Sequence, residues 1–238
     1  MPKCTVVIPC YNEANRLDAK RFQHFLDRHP EISLRFVNDG STDDTGAVLR
    51  DLCAARHNAD WLDLEQNRGK AEAIRLGMLP LANDDSSGEF IGFWDADLAT
   101  SLEEIPRFLA VATPETLMIS GCRLLRLGGD IRRTLWRHIL GRSFATIISC
   151  YLDLPVYDTQ CGAKLYARKS LAELIAQPFA TQWFFDVEIL KRMVKKFGRD
   201  QVIRNCCEFP LQSWMDVRGS KLHYPAAIKD FFRLLRTR

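Results

Sequence analysis

Apolar positions in this chain fall into short continuous runs separated by amphipathic stretches. Thr5-Val6-Val7-Ile8-Pro9 is a run of the kind shown by a strand covered on both faces. From about Asn15 the spacing becomes helical, with Leu17, Phe22, Phe25 and Leu26, and Pro30 stands just past its end. Leu34-Arg35-Phe36-Val37 predicts a second strand, stopped by Asn38-Asp39-Gly40. Ser41-Thr42-Asp43-Asp44 then offers hydroxyl and carboxylate caps for a helix to about Ala55. Trp61-Leu62-Asp63-Leu64 predicts a third strand, Arg68 to Leu79 a helix, Phe90 to Phe93 a fourth strand and Leu117 to Ser120 a fifth. Beyond about Gly128 the alternation loosens. A helix is expected from about Thr134 to Tyr151, a strand near Ala163 to Ala167, a helix over Phe185 to Phe197 and a strand near Val202 to Phe209.

Strands alternating with helices at this pace predict an α/β fold, with a mostly parallel, doubly wound sheet and helices on both faces. Ligands bind such sheets outside the carboxyl ends of the strands, where strand order reverses. The polar clusters fall at those ends: Tyr11-Asn12-Glu13, Asn38-Asp39-Gly40-Ser41, Asn67-Arg68-Gly69-Lys70 and Asp95-Ala96-Asp97. A dinucleotide fingerprint or a P-loop needs glycines after the first strand. Pro9-Cys10-Tyr11-Asn12-Glu13 has none, which excludes both.

Composition narrows the picture further. At 238 residues, 47% hydrophobic and 26% charged, the chain suits one large soluble domain. A net charge of only +3 argues against a nucleic-acid binder. The basic residues are uneven: Arg123, Arg126, Arg132, Arg133, Arg137 and Arg142 crowd one region, and Lys221, Lys229, Arg233, Arg236 and Arg238 close the chain. The eight cysteines include no C-x-x-C pair and most sit in apolar or strand-like runs, which points to free thiols, a cytoplasmic location and no zinc site. The longest uncharged candidate for a membrane span, Ser143 to Leu152, is far short of the ~20 apolar residues required.

Asp95 and Asp97, delivered where the Phe90–Phe93 run stops, are the sharpest chemical signal. Hard cations such as Mg²⁺ or Mn²⁺ are commonly held by one or two carboxylates together with substrate phosphates. On a continuing strand, alternation would put both carboxylates on one face with Ala96 turned away. The competing reading is an Asx-rich turn after the strand.

Taken in order, Val6-Val7-Ile8-Pro9-Cys10-Tyr11-Asn12-Glu13, Val37-Asn38-Asp39-Gly40-Ser41-Thr42-Asp43, Asn67-Arg68-Gly69-Lys70 and Asp95-Ala96-Asp97 resemble the motifs of inverting family 2 glycosyltransferases of the GT-A fold. The resemblance spans about residue 4 to about 222. Tyr157-Asp158-Thr159-Gln160-Cys161-Gly162-Ala163-Lys164-Leu165-Tyr166, Trp183-Phe184-Phe185-Asp186-Val187-Glu188 and Trp214 to Lys221 are similar to the dolichyl-phosphate β-glucosyltransferase branch. Dolichyl-phosphate mannose synthases are close cousins. The resemblance implies a single GT-A domain over 1–238, with a nucleotide-sugar-binding half at 1–127, an acceptor half at 128–222 and a basic amphipathic tail at 223–238.

It also implies roles. Pro9, Tyr11 and Glu13 would line the nucleobase pocket, Asp39 would accept from the base N–H, and Gly69 would let backbone approach the nucleotide. Lys70 would reach the base or a phosphate. Asp95 would bind the ribose edge and the metal, and Asp97 would be the more direct ligand of Mg²⁺ or Mn²⁺. The implied donor is a nucleotide sugar, with UDP-glucose favoured over GDP-mannose.

The acceptor divides the readings. A sugar or protein hydroxyl needs a carboxylate to take its proton, and Asp186 stands where hydroxyl-using relatives keep that base; the other reading is that Asp186 only orients a basic side chain. A polyprenyl or dolichyl phosphate is already anionic, so basic side chains become the needed groups: Arg123, Arg126, Arg137 and their neighbours to Arg142, with Arg168 and Lys221. The phosphate acceptor is the favoured expectation. With it goes peripheral membrane contact by Thr134 to Phe144 and Ala227 to Arg236, which mix basic and apolar residues; packing of both helices on the domain is the alternative. Two places depart from the glucosyl branch: Leu98 replaces its usual glycine, and about Ala145 stands where it has a histidine. A non-catalytic nucleotide-sugar binder is the remote alternative, and the intact acidic pair speaks against it.

Overall fold

The computed structural model describes residues 2–54, 56–132, 135–215 and 224–236. Their elements, in order, are β1 (Cys4–Cys10), α1 (Ala19–Arg28), β2 (Ile32–Asn38), α2 (Thr45–Cys53), β3 (Ala59–Asp63), α3 (Lys70–Ala82), β4 (Phe90–Trp94), α4 (Glu104–Ala110) and β5 (Met118–Cys122). Then come β6 (Asp130–Arg132), α5 (Leu135–Leu152), β7 (Ala163–Ala167), α6 (Arg168–Ile175), α7 (Phe185–Phe197), α8 (Arg199–Asn205), β8 (Cys206–Pro210), β9 (Ser213–Met215) and α9 (Tyr224–Arg236).

Seven strands form one sheet in the order β3-β2-β1-β4-β7-β5-β8, and β6 pairs with β9 beside it. Only β7 runs antiparallel to its sheet neighbours, β4 and β5. β1 is fully buried apart from Pro9, and its residues alternate between two cores. Val6 and Ile8 face Phe22, Phe25, Leu49, Leu52, Ile105 and Phe108 of α1, α2 and α4. Val7 faces Ile74, Met78, Leu171, Ile189 and Met193 of α3, α6 and α7. The doubly wound α/β architecture with helices on both faces is therefore as expected.

The order reverses between β1 and β4, which places a crevice at their carboxyl ends. Because β7 is antiparallel, its amino end lies at the same edge, with Ala163 opposite Trp94. The segment leading into β7 is thereby brought against the acidic pair.

Three local expectations need correction. Val202 to Asn205 is helical (α8), not the start of a strand, and β8 begins only at Cys206, where pairing with Met118 of β5 starts. The first helix begins at Ala19, later than Asn15, because Glu13 carbonyl first closes a turn onto the N–H of Arg16 and Leu17. Asp95 and Asp97 do not continue the strand: β4 ends at Trp94 and they lie in a turn.

Candidate active site

Four loops converge at the crevice. The one after β1 is bound to the one after β2: Asn12 N–H donates to Ser41 Oγ at 3.0 Å, Glu13 N–H to Thr45 Oγ1 at 2.8 Å and Thr42 N–H to Asn12 Oδ1 at 2.9 Å. This leaves Pro9, Tyr11 and Glu13 half-buried along the rim. Asp39 is buried, and its carboxylate accepts the backbone N–H groups of Arg68 at 2.7 Å and Gly69 at 2.9 Å. Burial pushes its carboxyl pKa up, against the pull of those two donors. Asp39 therefore fixes the path of the Asn67–Lys70 loop, whatever else it contacts.

Glycine is required twice in this loop system. Gly40 has φ +62° and a Cβ there would stand 2.3 Å from Asn67 N. Gly69 has φ +86° and lies against Gln182, and it starts α3 directly before Lys70.

Lys70 Nζ forms an ion pair with Asp95 Oδ1 at 2.5 Å. Partial desolvation opposes the ammonium charge, but Asp95, with Asp186 and Asp97 behind it, outweighs that and raises the Lys70 pKa. The pair is open to solvent, with side chains 44% and 33% exposed, so screening keeps its stabilisation small. Asp97 is half-buried and accepts Ala99 N–H at 3.0 Å. Burial and the neighbouring Asp95 charge push its carboxyl pKa up. The turn it closes forces Leu98 to φ +53°, at the place where glycine would pay no steric cost.

Both readings of the acidic pair thus hold together: it is an Asx turn, and it presents two carboxylates. Among the described residues no group of three or more His, Cys, Asp or Glu side chains converges on one point. Two hard oxygen donors, crowded by like charge with one lysine to balance them, suit a hard divalent cation that completes its shell from a diphosphate. The residues present fit Mg²⁺ or Mn²⁺ on those terms.

The segment before β7 buttresses this pair. Asp95 N–H donates to Gly162 carbonyl at 3.0 Å, and a Cβ on Gly162 would stand 1.9 Å from Asp95 Oδ2. Asp158 takes a bidentate pair from Arg123, with both contacts at 2.7 Å, and also the Arg123 N–H at 3.0 Å. Burial would raise the Asp158 carboxyl, but the Arg123 guanidinium and its N–H donors overcome it and hold the group well below the usual carboxylate range. Glu208 on β8 accepts the N–H groups of Tyr157 and Asp158 at 2.7 and 2.6 Å.

Asp186 opens the first turn of α7 and is buried. Its Oδ1 accepts Gln160 Nε2 at 2.7 Å, and its Oδ2 accepts Lys164 Nζ at 3.1 Å. Burial raises its carboxyl pKa, against Lys164 and Lys70. Lys164 was not anticipated as a site residue, although a lysine inside the apolar run Ala163–Ala167 signals a buried charge in need of partners. Of the remaining basic candidates, Arg126 is exposed, and Arg168 is no acceptor ligand: it follows the far end of β7 from the crevice, where it pairs with Asp85 at 2.7 Å and donates to the Gly88 carbonyl at 2.8 Å. The side chain of Arg137, and Lys221 altogether, lie outside the described residues.

A sequence model of glycosyl transferase family 2 matches residues 5–175, which takes in every one of these loops except that of Asp186. The chain belongs to this family. It is a glycosyltransferase, with the mostly parallel α/β sheet of the GT-A fold. Dolichyl-phosphate beta-glucosyltransferase of Saccharomyces cerevisiae is 29% identical over 242 residues, covering 92% of this chain and 68% of the yeast protein. The Mus musculus protein of the same name is 29% identical over 240 residues, covering 92% and 69%. Among solved structures, glucosyl-3-phosphoglycerate synthase from Mycobacterium tuberculosis in complex with Mn²⁺, UDP and glucosyl-3-phosphoglycerate superposes with a TM-score of 0.67 at 18% identity, over 98% of this chain and 79% of that one. A further structure of that synthase holds Mg²⁺ and UDP.

Proposed function

We propose that this glycosyltransferase moves glucose from UDP-glucose to a polyprenyl phosphate such as dolichyl phosphate, with Mg²⁺ or Mn²⁺ held by Asp95 and Asp97. The observation that carries the acceptor reading is the state of Asp186. Both of its oxygens are engaged, by Lys164 and by Gln160, and its carboxylate is buried. A hydroxyl acceptor needs a carboxylate free to take a proton. A phosphate monoester arrives as an anion and needs none. The names of the relatives that match 92% of the chain agree with this choice.

On this reading residues up to about 127 hold the donor. Tyr11 offers a face to the base, Glu13 and Asp39 line its edge, and Gly69 lets the protein backbone approach the nucleotide. Lys70, released from Asp95, meets the diphosphate. When bound, the cation supplies Lewis-acid stabilisation of the departing diphosphate. Arg123, fixed by Asp158, contributes positive potential beside it, and Arg126, Arg137 and Lys221 draw the acceptor phosphate.

The deciding experiment is a calorimetric panel of UDP, GDP and their sugars with and without Mn²⁺, followed by transfer to polyprenyl phosphate. UDP binding strengthened by Mn²⁺, with glucose transfer to the lipid phosphate, is expected. Asp97→Ala should lower transfer at least ~100-fold, as loss of a group stabilising the leaving charge does, while the chain stays folded. Binding of GDP alone would replace the donor; full activity of Asp97→Ala would remove the metal role.

A further inference from the structure

Three side chains at the crevice form a chain of contacts that the proposed reaction does not yet use. Lys164 lies on the central antiparallel strand and is 1% exposed. Its ammonium donates to Thr159 carbonyl at 2.9 Å, Cys161 carbonyl at 2.6 Å and Asp186 Oδ2 at 3.1 Å. Those acceptors use all three of its N–H bonds. The lysine thus ties the turn before β7 to the start of α7. A buried ammonium is strongly disfavoured by desolvation and tolerated only when fully partnered, which makes it a poor way merely to fill space.

Gln160 stands at the outer end of the chain. It is exposed, yet its Nε2 reaches inward to the buried Asp186 Oδ1 at 2.7 Å. The orientation of this amide is not arbitrary. A carboxylate only accepts hydrogen bonds, so the NH₂ group must face it and Oε1 must point elsewhere. The turn that carries Gln160 also carries Gly162, which lies against Asp95, so this exposed amide stands two residues along the same turn that meets the acidic pair.

We propose that Lys164 and Asp186 are positioning residues that lock the Gln160 amide, and that Gln160 Oε1 accepts a hydrogen bond from a hydroxyl of the transferred sugar. Asp186 is then the anchor of a sugar contact and not a proton acceptor. A raised Asp186 pKa would suit a base as well; the geometry separates the two roles. A base must offer an accessible oxygen within reach of the acceptor, and here Gln160 covers the open side. This inference rests on the UDP-glucose donor proposed above.

The test is calorimetry of UDP and of UDP-glucose, each with Mn²⁺, on the parent chain, Gln160→Ala, Lys164→Met, Asp186→Asn and the double variant Lys164→Met/Asp186→Asn. For Gln160→Ala, UDP affinity should stay within about twofold while UDP-glucose affinity falls about tenfold, the size of one good hydrogen bond. The single changes at Lys164 and Asp186 should lower both melting temperature and UDP-glucose affinity, because each strands a buried charge. The double variant removes both charges and keeps an amide for Gln160 to donate to. It should regain most of both losses and should transfer glucose faster than either single variant. A merely structural pair would restore melting without the difference between UDP and UDP-glucose. Unchanged UDP-glucose affinity in Gln160→Ala overturns the proposal, and that exposed position is decisive even if Lys164→Met fails to fold. A double variant that binds donor but cannot transfer also overturns it, since Asp186 would then be the base. Failure of the parent chain to bind UDP and UDP-glucose would instead overturn the donor reading, and this inference with it.

Discussion

Gly162 has no side chain because Asp95 occupies the space that one would need. A Cβ there would stand 1.9 Å from Asp95 Oδ2 and 2.8 Å from Oδ1, so the carboxylate must give way. Gly162→Ala is therefore expected to weaken Mn²⁺-dependent UDP binding about tenfold or more by displacing one ligand, as loss of ligand positioning does at metal sites. UDP binding without metal should change little. Titration of UDP with and without Mn²⁺ reads the difference, and equal affinities for parent and variant would show that Asp95 is not a ligand. At this scale the sequence was legible where a residue's position depends on its own strand end. Asp39, Gly69, Lys70, Asp95 and Asp97 all sit at the crevice where the strand-end rule puts them. Gly162, Gln160 and Lys164 were not singled out for such roles. Their roles depend on β7 entering the sheet antiparallel beside β4, a pairing some 70 residues apart in the chain that no local pattern announces.

Between elements, the start of the turn before β7 is held by charge from two strands. Arg123, at the end of β5, grips Asp158, and Glu208 of β8 receives the next N–H groups. Arg123 also lies over the Trp214 ring of β9 at 5.3 Å, so it links the end of β5 to β9 as well as to the turn. Asp158→Asn should cost roughly 3 kcal/mol in denaturant unfolding, the usual penalty for leaving a buried charge without its partner. The pH dependence follows from the depressed Asp158 pKa. Its stabilisation is fully present above the ordinary aspartate pKa of about 4 and is lost as pH falls through the lower folded value, so the gap between parent and variant should close below about pH 4. A gap that stays constant with pH would mean that the ion pair is not the source. The elements that escaped prediction have local reasons. Val202-Ile203 reads as strand by β-branching, yet it forms α8, only seven residues long, capped by Gly198 at φ +82°. α6 begins at Arg168 with no loop after β7, leaving no turn residues to mark it. α4 contains Pro106, which its first turn tolerates because the missing N–H has no partner there.

Across the whole molecule, the two basic amphipathic segments turn out to pack on each other and on α7. Phe144 of α5 and Phe231 of α9 meet at 5.4 Å between ring centroids, and Phe184 meets Phe231 at 5.7 Å. Ile148 and Leu234 complete that cluster. Asp230 of α9 accepts the N–H groups of Gln182 and Trp183 at 2.8 and 3.1 Å, just before α7. Packing on the domain and contact with a membrane were competing expectations, but one face of each helix serves the first and leaves another free. Ile139 and Ile147 of α5 remain about half exposed, as does Phe232 of α9, and Leu125 and Leu127 flank Arg126 on the loop after β5. No helix among the described residues is long and apolar enough to cross a membrane. Any lipid contact made by these helices would therefore lie in the interface plane, with the exposed Arg233 and Arg236 at headgroup level. We propose that contact as the route by which a polyprenyl phosphate reaches the crevice. Phe232→Ser with Ile147→Ser should lower partition onto vesicles of mixed neutral and anionic lipid by at least about tenfold, since each buried apolar side chain contributes about 1.5–3 kcal/mol. Raising the salt should weaken binding of the parent chain by screening its arginines. Melting should fall only slightly, because both side chains are about half exposed and Phe232 meets the cluster only through an edge contact with Phe231 at 6.1 Å. A parent chain that ignores such vesicles, yet transfers glucose to a short water-soluble prenyl phosphate, would show that the acceptor comes to the enzyme without a surface.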